Sequence, residues 1–262
     1  MTLPSLAATR TSGDRRPYRS SGGVSLRPIT APAPGTLITP TAVSVVPRTR
    51  SERMNRLINI VLASVAIVIL LPVLLLVALA VWLTSPGPVL YTQDRVGIDR
   101  RSRRALALYD RRGSDHGGSV FTIYKFRSMR CDAETHSGAV WATKNDPRVT
   151  YVGRFLRKTR LDELPQLFNV VKGDMNIVGP RPERPTIFAR LRQDISEYSL
   201  RQRAKPGITG WAQVNLAYDS TIEDVRKKVD LDLEYLRRQS VIEDMRIMLR
   251  TVPVMLFKRG GW

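Results

Sequence analysis

A chain of 262 residues can bury a sizeable core, as one large domain or two small ones. Its 42 basic residues against 23 acidic ones give a formal charge of +19, which points to a polyanionic partner: nucleic acid, an anionic membrane surface or phosphorylated small molecules. The single cysteine, Cys131, excludes an intramolecular disulfide framework, and two histidines, His116 and His136, are too few for most zinc sites.

Residues 1–53 are rich in Pro, Ser, Thr, Gly and Arg and lack apolar periodicity, so they read as a disordered basic arm. Residues 54–84 hold the uncharged run Leu57 to Leu83, longer than the ~20 apolar residues that cross a bilayer. Pro72 falls near its middle and cannot donate to the carbonyl of Val68. Arg48, Arg50, Arg53 and Arg56 precede the run, and Arg95, Arg100, Arg101, Arg103 and Arg104 follow it. Basic residues mark cytoplasmic ends, so positive flanks on both sides predict a segment that dips in and returns at Pro72. A straight spanning helix that tolerates one proline is the rival reading.

The rest, residues 85–262, is predicted to be a compact α/β unit, mainly helical with a small β element. Ser85 to Gly97 reads as a turn and a short strand, Val120 to Met129 as an alternating strand, and the stretch 98–118 between them as a basic surface insertion. Val149, Val152, Phe155 and Leu156 have helical spacing, and a second helix is predicted from Asp162 to Gly173. Ser220 and Glu223 suggest a capping box ahead of the stripe Ile222, Val225, Val229, Leu233 and Leu236. Ile242 to Phe257 is a further apolar segment interrupted by Pro253.

The chemistry concentrates at Asp162 and Glu163. Alone, such a pair is an ordinary helix cap. With Arg157, Arg160, Lys125, Arg127 and Arg181 in the same motifs, it reads as a carboxylate held among cations suited to phosphate oxygens. An ionised carboxylate so placed is a competent nucleophile toward phosphorus, and magnesium suits its hard oxygens.

"YTQDRVG", "FTIYKFRSM", "LRKTRLDELPQLFNVVKGDMNIVGPRP" and "KPGITGWAQVN", in that order, resemble the bacterial sugar transferase family from about Arg53 onward. These are monotopic phosphoglycosyl transferases that load a sugar-1-phosphate from a UDP-sugar onto polyprenyl phosphate. The resemblance implies a re-entrant membrane helix and a cytosolic catalytic domain on the inner membrane, with anionic lipids around it. It maps a catalytic and magnesium-binding dyad onto Asp162 and Glu163. Arg157 falls on the phosphate-contacting position, Arg181 in a Pro-Arg-Pro turn for the nucleotide, and Lys125 and Arg127 in a basic strand motif. It also implies UMP release through an Asp-linked phosphosugar, with a hexose favoured, and is compatible with a homo-oligomer. Members usually carry Ser before the membrane proline, where this chain has Leu71.

Two other readings compete with this one. A glycosyltransferase using Asp230 and Asp232 is opposed by helix geometry, since residues two apart point about 200° apart. These carboxylates read as solvated helix positions. A membrane-tethered nucleic-acid binder fits the charge, but no nucleic-acid-binding signature is present.

Overall fold

A computed structural model describes residues 45–100, 117–133, 146–216 and 221–256, which belong to one compact unit. The basic arm up to residue 44, most of the insertion 98–118, both histidines and Ser220 lie outside the described residues. The architecture is mainly helical with two small two-stranded sheets.

Helix α1, Glu52–Thr84, opens at Ser51, whose hydroxyl accepts from the Met54 amide, and continues through Pro72. At 33 residues it is long and apolar enough to cross a membrane. One face carries Asn59, Ala63, Ile67, Leu70, Leu74, Val77 and Val81, at spacings of three and four that keep one seam in register. That seam packs first on Ile123, Leu167, Val170 and Met175, then on Phe126, Leu156 and Leu161. The opposite face leaves Val61, Val65, Val68, Ile69, Leu75, Leu76, Leu79 and Trp82 exposed.

Polar contacts fix the amino-terminal half of α1. Arg56 donates to the carbonyls of Val170 and Val171, and the Ile177 amide donates to Asn59 Oδ1 at 2.7 Å. Residues 45–51, assigned to the arm by composition, pack on the unit instead. Val45 is buried in the core, the Arg48 amide donates to the Leu236 carbonyl, and Arg50 pairs with Asp244 at 2.8 Å. Their polar sequence hides one buried valine.

Strands β1, Leu90–Val96, and β2, Val120–Phe126, pair antiparallel, with Leu90 opposite Phe126 and Val96 opposite Val120. Helix α2, Tyr151–Thr159, follows, capped by Thr150. The predicted helix from Asp162 to Gly173 is instead two pieces. A single 3₁₀ turn, Leu161–Glu163, precedes α3, Gln166–Lys172, which Gly173 ends with φ 101°. Pro165 is the N-cap of α3, so Asp162 does not cap a helix.

Strand β3, Asn176–Val178, pairs in parallel with β4, Gly207–Thr209. Between them run α4, Pro185–Asp194, with proline at its first position, and a 3₁₀ segment, Ser196–Arg203. The short α5, Trp211–Asn215, leads to α6, Ile222–Arg238, and α7, Val241–Leu256. The capping box of α6 is Thr221 with Asp224, one residue later than Ser220 and Glu223 suggest. Val225, Val229, Leu233 and Leu236 of its stripe are buried with Phe188, Leu191 and Tyr198, while Ile222 is exposed. Helix α7 buries Ile247 and exposes Ile242, Met245 and Leu249, continuing through Pro253.

Gly153 sets the seat of α2. A Cβ there would lie 1.9 Å from the Ser128 carbonyl oxygen, and the same oxygen accepts from the Thr150 amide at 3.0 Å. Gly153→Ala should push α2 off the strand end and cost about 2 kcal/mol or more. Chemical denaturation of the purified protein measures it, and an unchanged midpoint would refute this close approach.

Candidate active site

The turn Leu161–Glu163 hangs between α2 and α3. Its entry residue, Arg160, adopts φ 59° and ψ 14°, the only positive φ at a non-glycine among the described residues. That left-handed step costs a residue with a Cβ roughly 1 kcal/mol and reverses the chain at once after α2. It drops Asp162 and Glu163 into the interior, where each is 7 % exposed.

The two carboxylates meet different surroundings. Glu163 is held by cations from three elements. Arg181 grips it with both nitrogens, Nη2 to Oε1 at 2.6 Å and Nη1 to Oε2 at 3.2 Å. Lys125 Nζ, from β2, donates to Oε1 at 2.9 Å, and Arg160 lies 4.0 Å from Oε2. Burial opposes ionisation of Glu163, but Arg181 and Lys125 outweigh it and hold the pKa well below the usual range. Asp162 has no hydrogen bond or ion pair among the described residues. Burial, then the charge of Glu163, pushes its carboxyl up to about 6, against the opposing fields of Lys125, Arg157 and Arg181. One carboxylate is neutralised in place; its neighbour is left available.

Five of the six site residues named from the sequence thus lie in direct contact or electrostatic reach of one another: Asp162, Glu163, Lys125, Arg181 and Arg157, the last through its field on Asp162. Arg127 differs. Its buried guanidinium donates to the carbonyls of Pro88 and Ser85, tying β2 to the turn after α1. In this structure it fastens the scaffold and makes no hydrogen bond to the dyad.

Sequence reasoning missed the frame behind Arg181. Arg95, read as a membrane flank, lies in β1 and donates to the Pro182 carbonyl at 3.1 Å, with Glu183 3.7 Å away. Lys228 of α6 is also 3.7 Å from Glu183. Asp232, read as solvated, is 1 % exposed and pairs with the fully buried Arg201 at 2.6 Å. Asp230 is exposed, as read. The signal for Asp232 was its place on the buried stripe: it immediately precedes Leu233 and lies three residues after Val229.

Among the described residues no group of three or more His, Cys, Asp or Glu side chains is placed to hold a metal ion. The donor set is two carboxylates. That suits magnesium, which takes one or two carboxylates and completes its shell with water and substrate phosphates.

The unit thus combines a buried carboxylate pair ringed by arginine and lysine with a helix long and apolar enough to cross a membrane. Residues 50–258 match the profile of the bacterial sugar transferase family, and the chain belongs to that family. It is 45 % identical over 205 residues to the UDP-glucose:undecaprenyl-phosphate glucose-1-phosphate transferase of Escherichia coli K12, covering 76 % of this chain and 40 % of that protein. It is 39 % identical to the UDP-N-acetylgalactosamine-undecaprenyl-phosphate N-acetylgalactosaminephosphotransferase of Aeromonas hydrophila, covering 79 % of this chain and 45 % of that one. A UDP-glucose:undecaprenyl-phosphate glucose-1-phosphate transferase of Caulobacter vibrioides is 39 % identical over 80 % of this chain and 72 % of its own length. The chain therefore spans less than half the length of the first two relatives.

The raised pKa of Asp162 carries a stability consequence. A carboxyl that is harder to ionise in the folded state than in the unfolded one destabilises the fold once pH exceeds the folded value, here about 6. The penalty fades as pH falls toward the ordinary aspartate value near 4. Asp162→Asn should therefore gain about 1–3 kcal/mol at pH 7.5 and nothing near pH 4, despite losing any activity that needs the carboxylate. Thermal melts of both proteins across pH 4–8 read this directly, and a pH-independent difference would contradict the assigned shift.

Proposed function

We propose that the chain is a phosphoglycosyl transferase moving a hexose-1-phosphate from a UDP-sugar to polyprenyl phosphate, as the first step of a cell-surface glycan. The observation that carries this reading is the inequality within the dyad: Glu163 is saturated by Arg181 and Lys125, while Asp162 keeps a carboxylate without a partner. An Asp162 oxygen attacks the β-phosphorus of the UDP-sugar, and the bridging oxygen leaves with UMP. A phosphate oxygen of polyprenyl phosphate then attacks the same phosphorus and expels Asp162, giving the lipid diphosphosugar. Both steps exchange one P–O bond for another, and the lipid phosphate, with a second pKa near 6, is largely ionised beforehand.

Arg157 and Arg181 supply guanidinium charge to the diphosphate, which arginine contacts in bidentate fashion. Magnesium, when bound, would offset further charge on the phosphates. Asp162 and Glu163 are its proposed ligands, Glu163 by releasing an oxygen now taken by Arg181 or Lys125. The names of the relatives support a UDP-sugar and undecaprenyl phosphate as substrates, and glucose or galactose is the favoured hexose.

The catalytic unit is proposed to sit on the cytoplasmic face, with both ends of α1 on its own side of the membrane. Asn59 near one end and Val81 near the other both touch the unit, on either side of Pro72. A crossing helix would carry one of those ends ~30 Å away through hydrocarbon. Single cysteines at Ser51 and Ser85, in a Cys131→Ser background, should both resist a membrane-impermeant maleimide applied from outside; labelling of one alone would establish a crossing helix.

The covalent step has its own test. Incubation with magnesium and the right UDP-sugar, without lipid, should release UMP and add a phosphohexose to the intact protein by mass spectrometry. Asp162→Asn should abolish both, and Arg157→Lys should lower turnover at least tenfold, since an ammonium cannot make a bidentate contact. Substantial turnover by Asp162→Asn with no adduct on the wild type would leave direct displacement.

A further inference from the structure

The Pro180-Arg181-Pro182 turn carries the arginine that neutralises Glu163, yet its two prolines have no amide to anchor it. Its carbonyls are instead taken by neighbours. The Gly207 amide donates to the Pro180 carbonyl at 3.0 Å, and Arg95 donates to that of Pro182 at 3.1 Å. The Arg181 carbonyl receives Arg201 Nη2 at 3.0 Å. Arg201 is itself held on every side. Its Nε reaches Asp232 Oδ2 at 2.9 Å, its Nη1 reaches the Tyr198 hydroxyl at 2.8 Å, and its guanidinium carbon stands 4.9 Å from the Tyr198 ring centroid.

We infer that the buried Arg201–Asp232 pair positions Arg181, fixing the backbone from which its guanidinium grips Glu163. Arg201 and Asp232 are 0 % and 1 % exposed, so they touch no substrate and act through Arg181. Stability alone does not account for them. A buried ion pair replaced as a whole by apolar residues of similar volume is often neutral or stabilising. What an apolar pair cannot supply is the donor for the Arg181 carbonyl. The inference rests on the proposed transferase reading for its catalytic consequence, though the geometry it describes stands without it.

The test replaces the pair as a unit. Arg201→Met/Asp232→Leu should keep a cooperative melt while kcat for UMP release falls at least tenfold and KM for the UDP-sugar stays within about twofold. A folded double variant with wild-type kcat overturns the inference. So does one whose loss is entirely in KM. If the double variant does not fold, Arg201→Lys decides by the same criteria, since its ammonium keeps the charge on Asp232 without the planar fork. A second readout needs no turnover. The change in melting temperature caused by Glu163→Gln should shrink by at least half when Arg201 has been replaced, because Arg181 no longer meets Glu163 in register. Equal changes in both backgrounds also overturn the inference. Absence of UMP release from the wild-type protein would instead sink the transferase reading and leave the melting cycle to judge the positioning pair.

Discussion

Two carboxylates on consecutive residues of one buried turn repel each other, and most of the site can be understood as the answer to that repulsion. Leaving both ionised in a dry interior without partners is costly. The fold neutralises one of them. Arg181, Lys125 and Arg160 converge on Glu163 from a loop, a strand and the step before the turn. The strain of the left-handed Arg160 belongs to the same arrangement, because it aims both carboxylates inward.

Local pattern revealed a good deal of this. The apolar run of α1, the two short strands, the end of α3 at Gly173 and the buried stripe of α6 were all legible, since each depends on spacing within one segment. The dyad and its basic partners were legible only through ordered motifs. What local pattern missed was set by contacts distant in sequence. No spacing rule announces that Arg95 reaches Pro182, or that Asp232 points at Arg201 rather than at water. Nor does one distinguish Lys125 of β2, bonded to Glu163, from Arg127 just past its end, bonded to the Ser85 and Pro88 carbonyls. The extra turn at Leu161–Glu163 escaped for a similar reason: Arg160 is not a residue type that signals a left-handed break.

The flanking arginines carry a similar lesson about membrane rules. By position in the sequence, Arg50, Arg56 and Arg95 look like cytoplasmic flank charges. In the fold, Arg50 pairs with Asp244, Arg56 occupies the last carbonyls of α3 and Arg95 braces the proline turn. Charge near an apolar segment thus has two meanings, headgroup contact and protein anchorage. Here the second accounts for a share of it. The same contacts hold α1 against the rest of the unit by polar bonds as well as by its apolar seam.

Those anchors are also separated in time. Arg56 meets its α3 carbonyls 114 residues downstream, and Arg50 meets Asp244 at a separation of 194. At the usual 5–20 residues per second of synthesis, α1 is complete about 4–15 s before its first partner helix, α2, which ends at Thr159. Throughout that interval its seam, Asn59 included, faces the surroundings as an unfinished surface. The helix is thus complete before the helices it packs against exist, and they must assemble onto it rather than it onto them.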